Sequence, residues 1–366
     1  MTPGQFLEIF VSINLQTLLL VLLCECLSRW MTSEQSRNRL WTHCCYAILA
    51  LTILGWTLPH VRLFHSSNPP GPKEILASVS FQQKIALPVA MIWGTGITIA
   101  LLILLRDGIR TLGILRSLTP IRLDDLPESV KKRHGQSLSR VHIYTGDSIV
   151  SPFCWQFQTP VLVLPQSFLK LRSEELELIL QHELAHLAYN HPLHVFMQRI
   201  VQAFFWYHPA VYWAGRQADV TREMFCDSIA AQSREQISQY LRVLLKVAEL
   251  AHLPPKTGLG MGFFFPKEVT AFTHRVRRLT ERAQQPDLSR LRSRWEGATT
   301  WLLAALMTLA WVPVNPLSSR RSYWSACPNW TAEVLHDFGL PARDYEVYEG
   351  RLQIYDDENL QFQPTR

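Results

Sequence analysis

Four stretches of this chain stay apolar for about the length of a bilayer crossing, which takes about 20 residues of helix. They run over about residues 6–27 (FLEIFVSINLQTLLLVLLCECL), 41–59 (WTHCCYAILALTILGWTLP), 85–105 (IALPVAMIWGTGITIALLILL) and 298–315 (ATTWLLAALMTLAWVPVN). The third carries no charge, and the fourth is short but uncharged. For the second and fourth, a buried core helix is the alternative reading. Between the third and fourth the pattern changes. A basic stretch, VKKRHGQSLSR, precedes three short strand-like runs, RVHIYTGD, SPFCWQF and TPVLVLP, set apart by Gly, Asp, Ser and Pro. After Pro165 the spacing turns helical: Leu176, Leu180, Leu184 and Leu187 recur on one face. Ser173 is placed to cap that helix, Glu174 and Glu175 favour its first turn, and Pro192 ends it. Residues 193–213 are apolar and aromatic, but Gln198, Arg199 and Gln202 argue for a helix on the core or in the membrane interface rather than a fifth span. Beyond 316, a tail combines a short helical pattern with two strand-like runs around Glu349-Gly350.

Composition agrees with a membrane protein. Apolar residues make up 48% and charged residues 18%, against about 25% charged in soluble domains. The net charge is +6, and its distribution decides what it means. Arg29, Arg37 and Arg39 follow the first span; Arg106, Arg110, Arg116 and Arg122 follow the third. Arg275, Arg277, Arg278, Arg282, Arg290, Arg292 and Arg294 precede the fourth, whereas residues 60–84 hold only Arg62, Lys73 and Lys84. Because cytoplasmic flanks carry the excess of Lys and Arg, this alternation puts residues 28–40 and 106–297 inside. It puts the N-terminus, residues 60–84 and the tail from 316 outside. The basic residues therefore read as membrane flanks, and no direct nucleic-acid binding is expected. The opening MTPGQFLEIF has no basic stretch before its apolar run, which argues against a cleaved signal peptide. The seven cysteines form no C-x-x-C pair, so neither a disulfide framework nor a cysteine metal site is expected.

The candidate chemistry lies in LILQHELAHLAYNH. His182 and His186 are i and i+4 on the helix, so both imidazoles leave one face, one turn apart, as two zinc ligands require. Glu183 sits beside them, placed as a general base toward water on the metal. Two surface histidines on an ordinary helix would give the same five letters. A catalytic zinc uses three protein ligands and leaves a position for solvent, so the third should come from another helix. PAVYWAGRQADVTREMFCDSIAA supplies one, with Pro209 suited to its first turn. Its Glu223 and Asp227 are i and i+4. Glu223 is assigned as the third ligand and Asp227 as an acceptor that orients a ligand histidine; an exposed acidic pair beside Arg216 and Arg222 is the competing reading.

The stretch from about 140 to 231 resembles the BlaR/MecR-type membrane zinc metallopeptidases, the antirepressor sensor proteases. SPFCWQFQTPVLVLP, LILQHELAHLAYNH and REMFCD carry the resemblance. It implies an α+β membrane protein with four transmembrane helices. A mainly helical, zincin-like (gluzincin) metallopeptidase domain with a small β-sheet would sit between the third and fourth. It implies Zn²⁺ on His182, His186 and Glu223, and Glu183 as general base. The organisation expected is a membrane region over 1–105, a cytoplasmic peptidase domain over 106–297, the fourth helix over 298–315 and an extracytoplasmic tail over 316–366, in the cell (inner) membrane.

Two departures bear on function. About 50 residues follow the fourth span and contain no Ser-x-x-Lys, so the penicillin-binding sensor of that family, and with it β-lactam sensing, has no support. The family also leads one to expect an Asp near position 191, which is His191 here. The expected substrate is a protein or peptide, either a cytosolic transcriptional repressor or the chain itself. A membrane quality-control protease and a non-catalytic zinc-fold receptor or scaffold remain alternatives. His191, His194 and His208 read as packing or interfacial residues and Cys226 as a buried structural thiol. TPVLVLP reads equally as a sheet edge for an extended substrate and as plain core.

Overall fold

The computed structural model describes residues 3–57, 60–61, 72–251, 269–284, 296–308, 311–312, 324–325, 337–339 and 342–343. Among the described residues, three helices are long and apolar enough to cross a membrane: α1 (Pro3–Trp30), α2 (Glu34–Thr57) and α3 (Pro72–Ser117). Their apolar surface is used in two ways. Ile9, Ile13, Leu20 and Val21 of α1 pack with Leu40, Trp41, Ile48 and Leu51 of α2 in one buried cluster. On α3, Leu87, Met91, Ile92, Leu102 and Leu105 are exposed, an apolar surface of the kind that a bilayer covers.

α3 corrects the expected boundaries of the third span. It has 46 residues, about 69 Å at 1.5 Å per residue, roughly twice what a bilayer needs. The 85–105 run is its middle, residues 72–84 are helix rather than loop, and the helix continues through Arg106, Arg110 and Arg116. Charge ends a membrane span without ending a helix, because arginine is a good helix former. The expected fourth span begins as α10 (Glu296–Met307), whose 12 residues reach only about 18 Å; residues 309–310 and 313–315 lie outside those described. α10 packs on α2, and the chain just beyond it is seated beside α1. There the Trp311 indole donates to Glu8 Oε1 at 2.9 Å and the Val312 N–H to Ser12 Oγ at 3.0 Å.

The three strand-like runs form β3 (His142–Gly146), β4 (Phe153–Gln156) and β5 (Pro160–Pro165), joined by an additional short strand, β2 (Thr119–Ile121). The order is β2-β3-β5-β4, with β3 and β5 parallel and the other pairs antiparallel. β5 therefore has a neighbour on both sides, and Val161, Leu162, Val163 and Leu164 are buried. TPVLVLP is core, not an edge; the edge on that side is β4. A separate small sheet, ordered β1-β6-β7, pairs β1 (His60–Val61) with β6 (Trp324–Ser325) and β6 with β7 (Ala342–Arg343). The runs expected around Glu349-Gly350 lie outside the described residues.

The remaining helices are α4 (Glu128–Leu138), α5 (Ser173–Ala188), α6 (His191–Phe204), α7 (Pro209–Ala230), α8 (Arg234–Ala251) and α9 (Val269–Gln284). The apolar 193–213 stretch is thus two helices broken before Pro209. α5 is buried on two faces. Leu176, Leu180 and Leu187 pack on Ile143, Leu162 and Leu164 of the sheet, while Leu178 and Ile179 pack on Ile237, Tyr240 and Val243 of α8 and Leu279 of α9. α7 joins two regions: its Val211, Ala214 and Ala218 enter the α1–α2 cluster, and its C-terminal half reaches α5 and α9.

The turn between α6 and α7 is fastened to α3 by two indoles: Trp93 donates to the Phe204 carbonyl at 3.0 Å and Trp206 to the Trp93 carbonyl at 3.3 Å. A Cβ at Gly96 would overlap the Trp206 ring. Gly96→Val should therefore cost about 1–3 kcal/mol by overpacking, seen as a lower thermal midpoint in detergent. An unchanged midpoint would show that this contact does not hold α3 against the turn.

Candidate metal centre

α5 begins at Ser173, the residue expected to cap it. Arg172 rather than Ser173 is the N-cap, and its backbone N–H donates to Glu175 Oε2 at 3.2 Å. Ten residues on, His182 and His186 leave one face of the helix toward Glu223 of α7. His182 Nε2 is 3.1 Å from His186 Nε2 and 3.4 Å from Glu223 Oε2; His186 Nε2 is 3.6 Å from Glu223 Oε1. Ligand atoms at about 2 Å from a tetrahedral ion stand about 3.3 Å from one another. The spacing and the donor types, two imidazoles and a carboxylate, fit a divalent metal such as zinc.

The neighbours of this trio settle which nitrogen faces it. Asp227, one turn beyond Glu223, lies with its Oδ1 3.1 Å from His182 Nδ1. Tyr240 of α8 donates its hydroxyl to Asp227 Oδ1 at 2.8 Å and lies 3.0 Å from His182 Nδ1. His182 Nδ1 therefore carries a proton that stays with these acceptors, and Nε2 is the nitrogen left for the trio, free to bind a metal once it gives up its own proton. Arg275 of α9 spans both acids: Nε donates to Asp227 Oδ2 at 2.8 Å, Nη2 to Asp227 Oδ1 at 2.6 Å, and Nη1 reaches Glu223 Oε2 at 3.2 Å.

Burial and charge pull against each other here. Burial raises Asp227, but Arg275 and the His182 hydrogen bond outweigh it and bring the carboxyl down to about 2. Burial likewise works to raise Glu223, and His186 and Arg275 hold it well below the usual carboxylate range. Burial lowers His186 to about 3. His182 is pushed up to about 9, since its bonds to Asp227 and Glu223 overcome its own desolvation. Glu183 moves upward, chiefly through burial, with His182 opposing. The Cys154 thiol of β4 lies 3.4 Å from Glu183 Oε2 and 3.3 Å from its carbonyl.

His191 is packed, as expected, and it also meets the metal group. It is 1% exposed, and its Nδ1 lies 3.1 Å from His186 Nδ1 and 3.4 Å from Cys226 Sγ. His194 stacks edge-on to Tyr46, and His208 Nε2 is 3.3 Å from the Asn14 carbonyl; neither joins the metal group. Cys226 is fully buried, and burial pushes its thiol well above the ordinary range, as for a structural cysteine.

Sequence reasoning missed Cys154, Tyr240 and Arg275. Arg275 reads in the sequence as one of the basic membrane flanks, yet in the fold it pairs with both Asp227 and Glu223. Tyr240 had a readable signal. It falls on the apolar face of α8 with Ile237, Val243 and Leu244, and a buried tyrosine hydroxyl needs a partner.

A model of the family described as BlaR1 peptidase M56 matches residues 5–269, and the chain belongs to that family of metallopeptidases. The match takes in α5, α7 and α8 and stops at the first residue of α9, so Arg275 lies beyond it. No curated protein matches the chain.

Removing Arg275 leaves the buried Asp227 and the largely covered Glu223 with less compensation. Arg275→Met should destabilise the metal-free protein by about 3–5 kcal/mol, and added zinc should recover part of that loss by neutralising Glu223. Thermal unfolding with and without metal checks this; an equal loss in both states would mean Arg275 serves packing alone.

Proposed function

We propose that this chain is a membrane-embedded zinc endopeptidase that cuts a cytosolic regulator, such as a transcriptional repressor, or itself. The observation that carries the reading is the His182–His186–Glu223 spacing, matched to a tetrahedral ion, with Glu183 on the same helix. Those three residues would hold the ion. When bound, zinc polarises the scissile carbonyl and lowers the pKa of a water.

The protein supplies the rest. Glu183 takes the proton from the attacking water. Its burial raises the carboxyl, which brings a general base nearer to working pH. Asp227 and Tyr240 hold the tautomer and angle of His182. β4 is the outer strand of the described sheet and lies beside the site, since Cys154 of that strand touches Glu183, where an extended peptide would run alongside it. At the end of that strand, Trp155, Phe157 and Phe196 form an aromatic cluster, with ring centroids 4.6 Å and 4.9 Å apart. It provides an apolar wall for substrate side chains.

The charge alternation supports four crossings, with the catalytic residues on the cytoplasmic face of the cell membrane. The pairing of β1 with β6 supports residues 60–84 and the tail lying on one common side, as that topology requires. The seat of residues 311–312 beside α1 supports a fourth crossing next to the first two.

Glu183→Gln should keep the metal and lose about 10²–10⁴-fold in cleavage rate. Cytosolic peptides from cells carrying the wild-type or Glu183→Gln chain separate the alternatives. One specific cut is expected for a signalling protease; many cuts would mean quality control, and none a scaffold. Metal uptake should also be linked to protons. His182 is raised to about 9 in the metal-free protein, above the free imidazole value of about 6.5. At pH 7 the cluster therefore holds a proton that a metal must displace. Titration calorimetry at pH 7 in buffers of different ionisation enthalpy should show about one proton released per zinc, and the release should fade above pH 9. No release at pH 7 would contradict the assigned ligand set.

A further inference from the structure

We propose that His191 is a positioning residue for the metal ligand His186, and that it ties this ligand to the membrane helix α2 through Asn38. The inference rests on the zinc-site reading above. If His186 binds the ion through Nε2, its Nδ1 carries a proton and needs an acceptor. The atom facing it, at 3.1 Å, is His191 Nδ1. That nitrogen can accept only if the His191 proton sits on Nε2. Nε2 lies 3.4 Å from the side-chain amide of Asn38 in α2, and Asn38 Oδ1 is buried without a partner. Turning that amide over gives the His191 N–H its acceptor and puts the amide nitrogen where the oxygen was. The relay then reads His186 Nδ1–H to His191 Nδ1, and His191 Nε2–H to Asn38 Oδ1.

The backbone places the ring for this purpose. Asn190 adopts φ 54°, the one non-glycine positive φ among the described residues. Its side chain accepts from Gln156 Nε2 at 2.8 Å. This left-handed residue ends α5 and turns the chain so that α6 starts with His191 directly behind His186. An alternative use of the same atoms is a second metal held by His186, His191 and Cys226, whose ligand atoms lie within 4.8 Å of one another. His186 would then have to bind through both nitrogens, which requires a doubly deprotonated ring. The relay requires only the neutral one. It also puts two hydrogen bonds between a membrane helix and a metal ligand, so that a shift of α2 bears on the angle of His186.

The test uses the full-length protein in detergent, with zinc affinity from chelator competition and the cobalt(II)-substituted absorption spectrum as readouts. Wild type should bind one zinc. His191→Phe keeps the bulk and removes the acceptor; it should weaken zinc about 10–100-fold and alter the cobalt bands. His191→Asp restores an acceptor and should regain most of that affinity. Asn38→Leu should weaken zinc about fivefold, the worth of one hydrogen bond. Wild-type affinity and spectrum in His191→Phe would reduce His191 to packing and overturn the proposal; wild-type affinity in Asn38→Leu would overturn the link to α2. Two zinc ions on wild type and one on His191→Phe would make His191 a ligand instead. Should His191→Phe not fold, His191→Asp decides, because a carboxylate in place of a neutral ring should shift the cobalt spectrum; an unshifted spectrum overturns the relay. Absence of zinc from the wild type overturns the metal site itself, and this inference with it.

Discussion

Asp227 is buried, and Glu223 one helical turn away is largely covered, which a chain tolerates only if each negative charge is matched. The compensation comes from three other helices. His182 and His186 arrive from α5, the Tyr240 hydroxyl from α8 and the Arg275 guanidinium from α9, at 2.6–3.6 Å. None of these groups would be stable in its place alone. An unpaired Asp227 would draw a proton or open to solvent, and an Arg275 without its two acids would leave the interior. The mutual need for charge balance brings four helices to one point, and a metal ion can use that point because the same balance leaves both imidazole Nε2 atoms facing inward.

The apolar core makes this polar cluster affordable. α5 is fixed on one face by the sheet and on the other by α8 and α9, so the two histidines sit on a helix with little freedom to roll. α7 is anchored at its N-terminal half by small residues, Ala214 and Ala218, packed into the bundle of α1 and α2, which leaves its C-terminal half to deliver Glu223 and Asp227. A helix shared between bundle and site couples them: a change in how α2 meets α7 moves the Glu223 carboxylate. The Asn38–His191 contact approaches His186 from the same membrane helix. The centre is therefore built against the bundle rather than tethered to it.

What could be read in the sequence was what local spacing determines. His182, Glu183 and His186 share a face because they share a helix, and Glu223 and Asp227 follow the same rule. The strands β3, β4 and β5 were legible from their β-branched and aromatic runs and the breakers between them. What escaped depends on tertiary pairing. Nothing in TPVLVLP says that it lies between two strands, since strand order is a non-local property. α3 overran its expected ends because a helix does not stop where lipid does. Arg275 looked like one of a row of flanking arginines, and only the fold singles it out. His191 stands where an acid is expected, and its 3.1 Å approach to His186 is one that no spacing rule encodes.

The central claim is that helices α5 and α7 together grip one ion through two imidazoles and a carboxylate. X-ray absorption at the zinc edge on the purified full-length protein tests it most directly. The account predicts one zinc per chain, with a first shell of nitrogen and oxygen at about 2.0–2.2 Å and the outer-ring scattering of two imidazoles. A sulfur neighbour at about 2.3 Å, which would implicate Cys226, or protein without stoichiometric zinc, would contradict it.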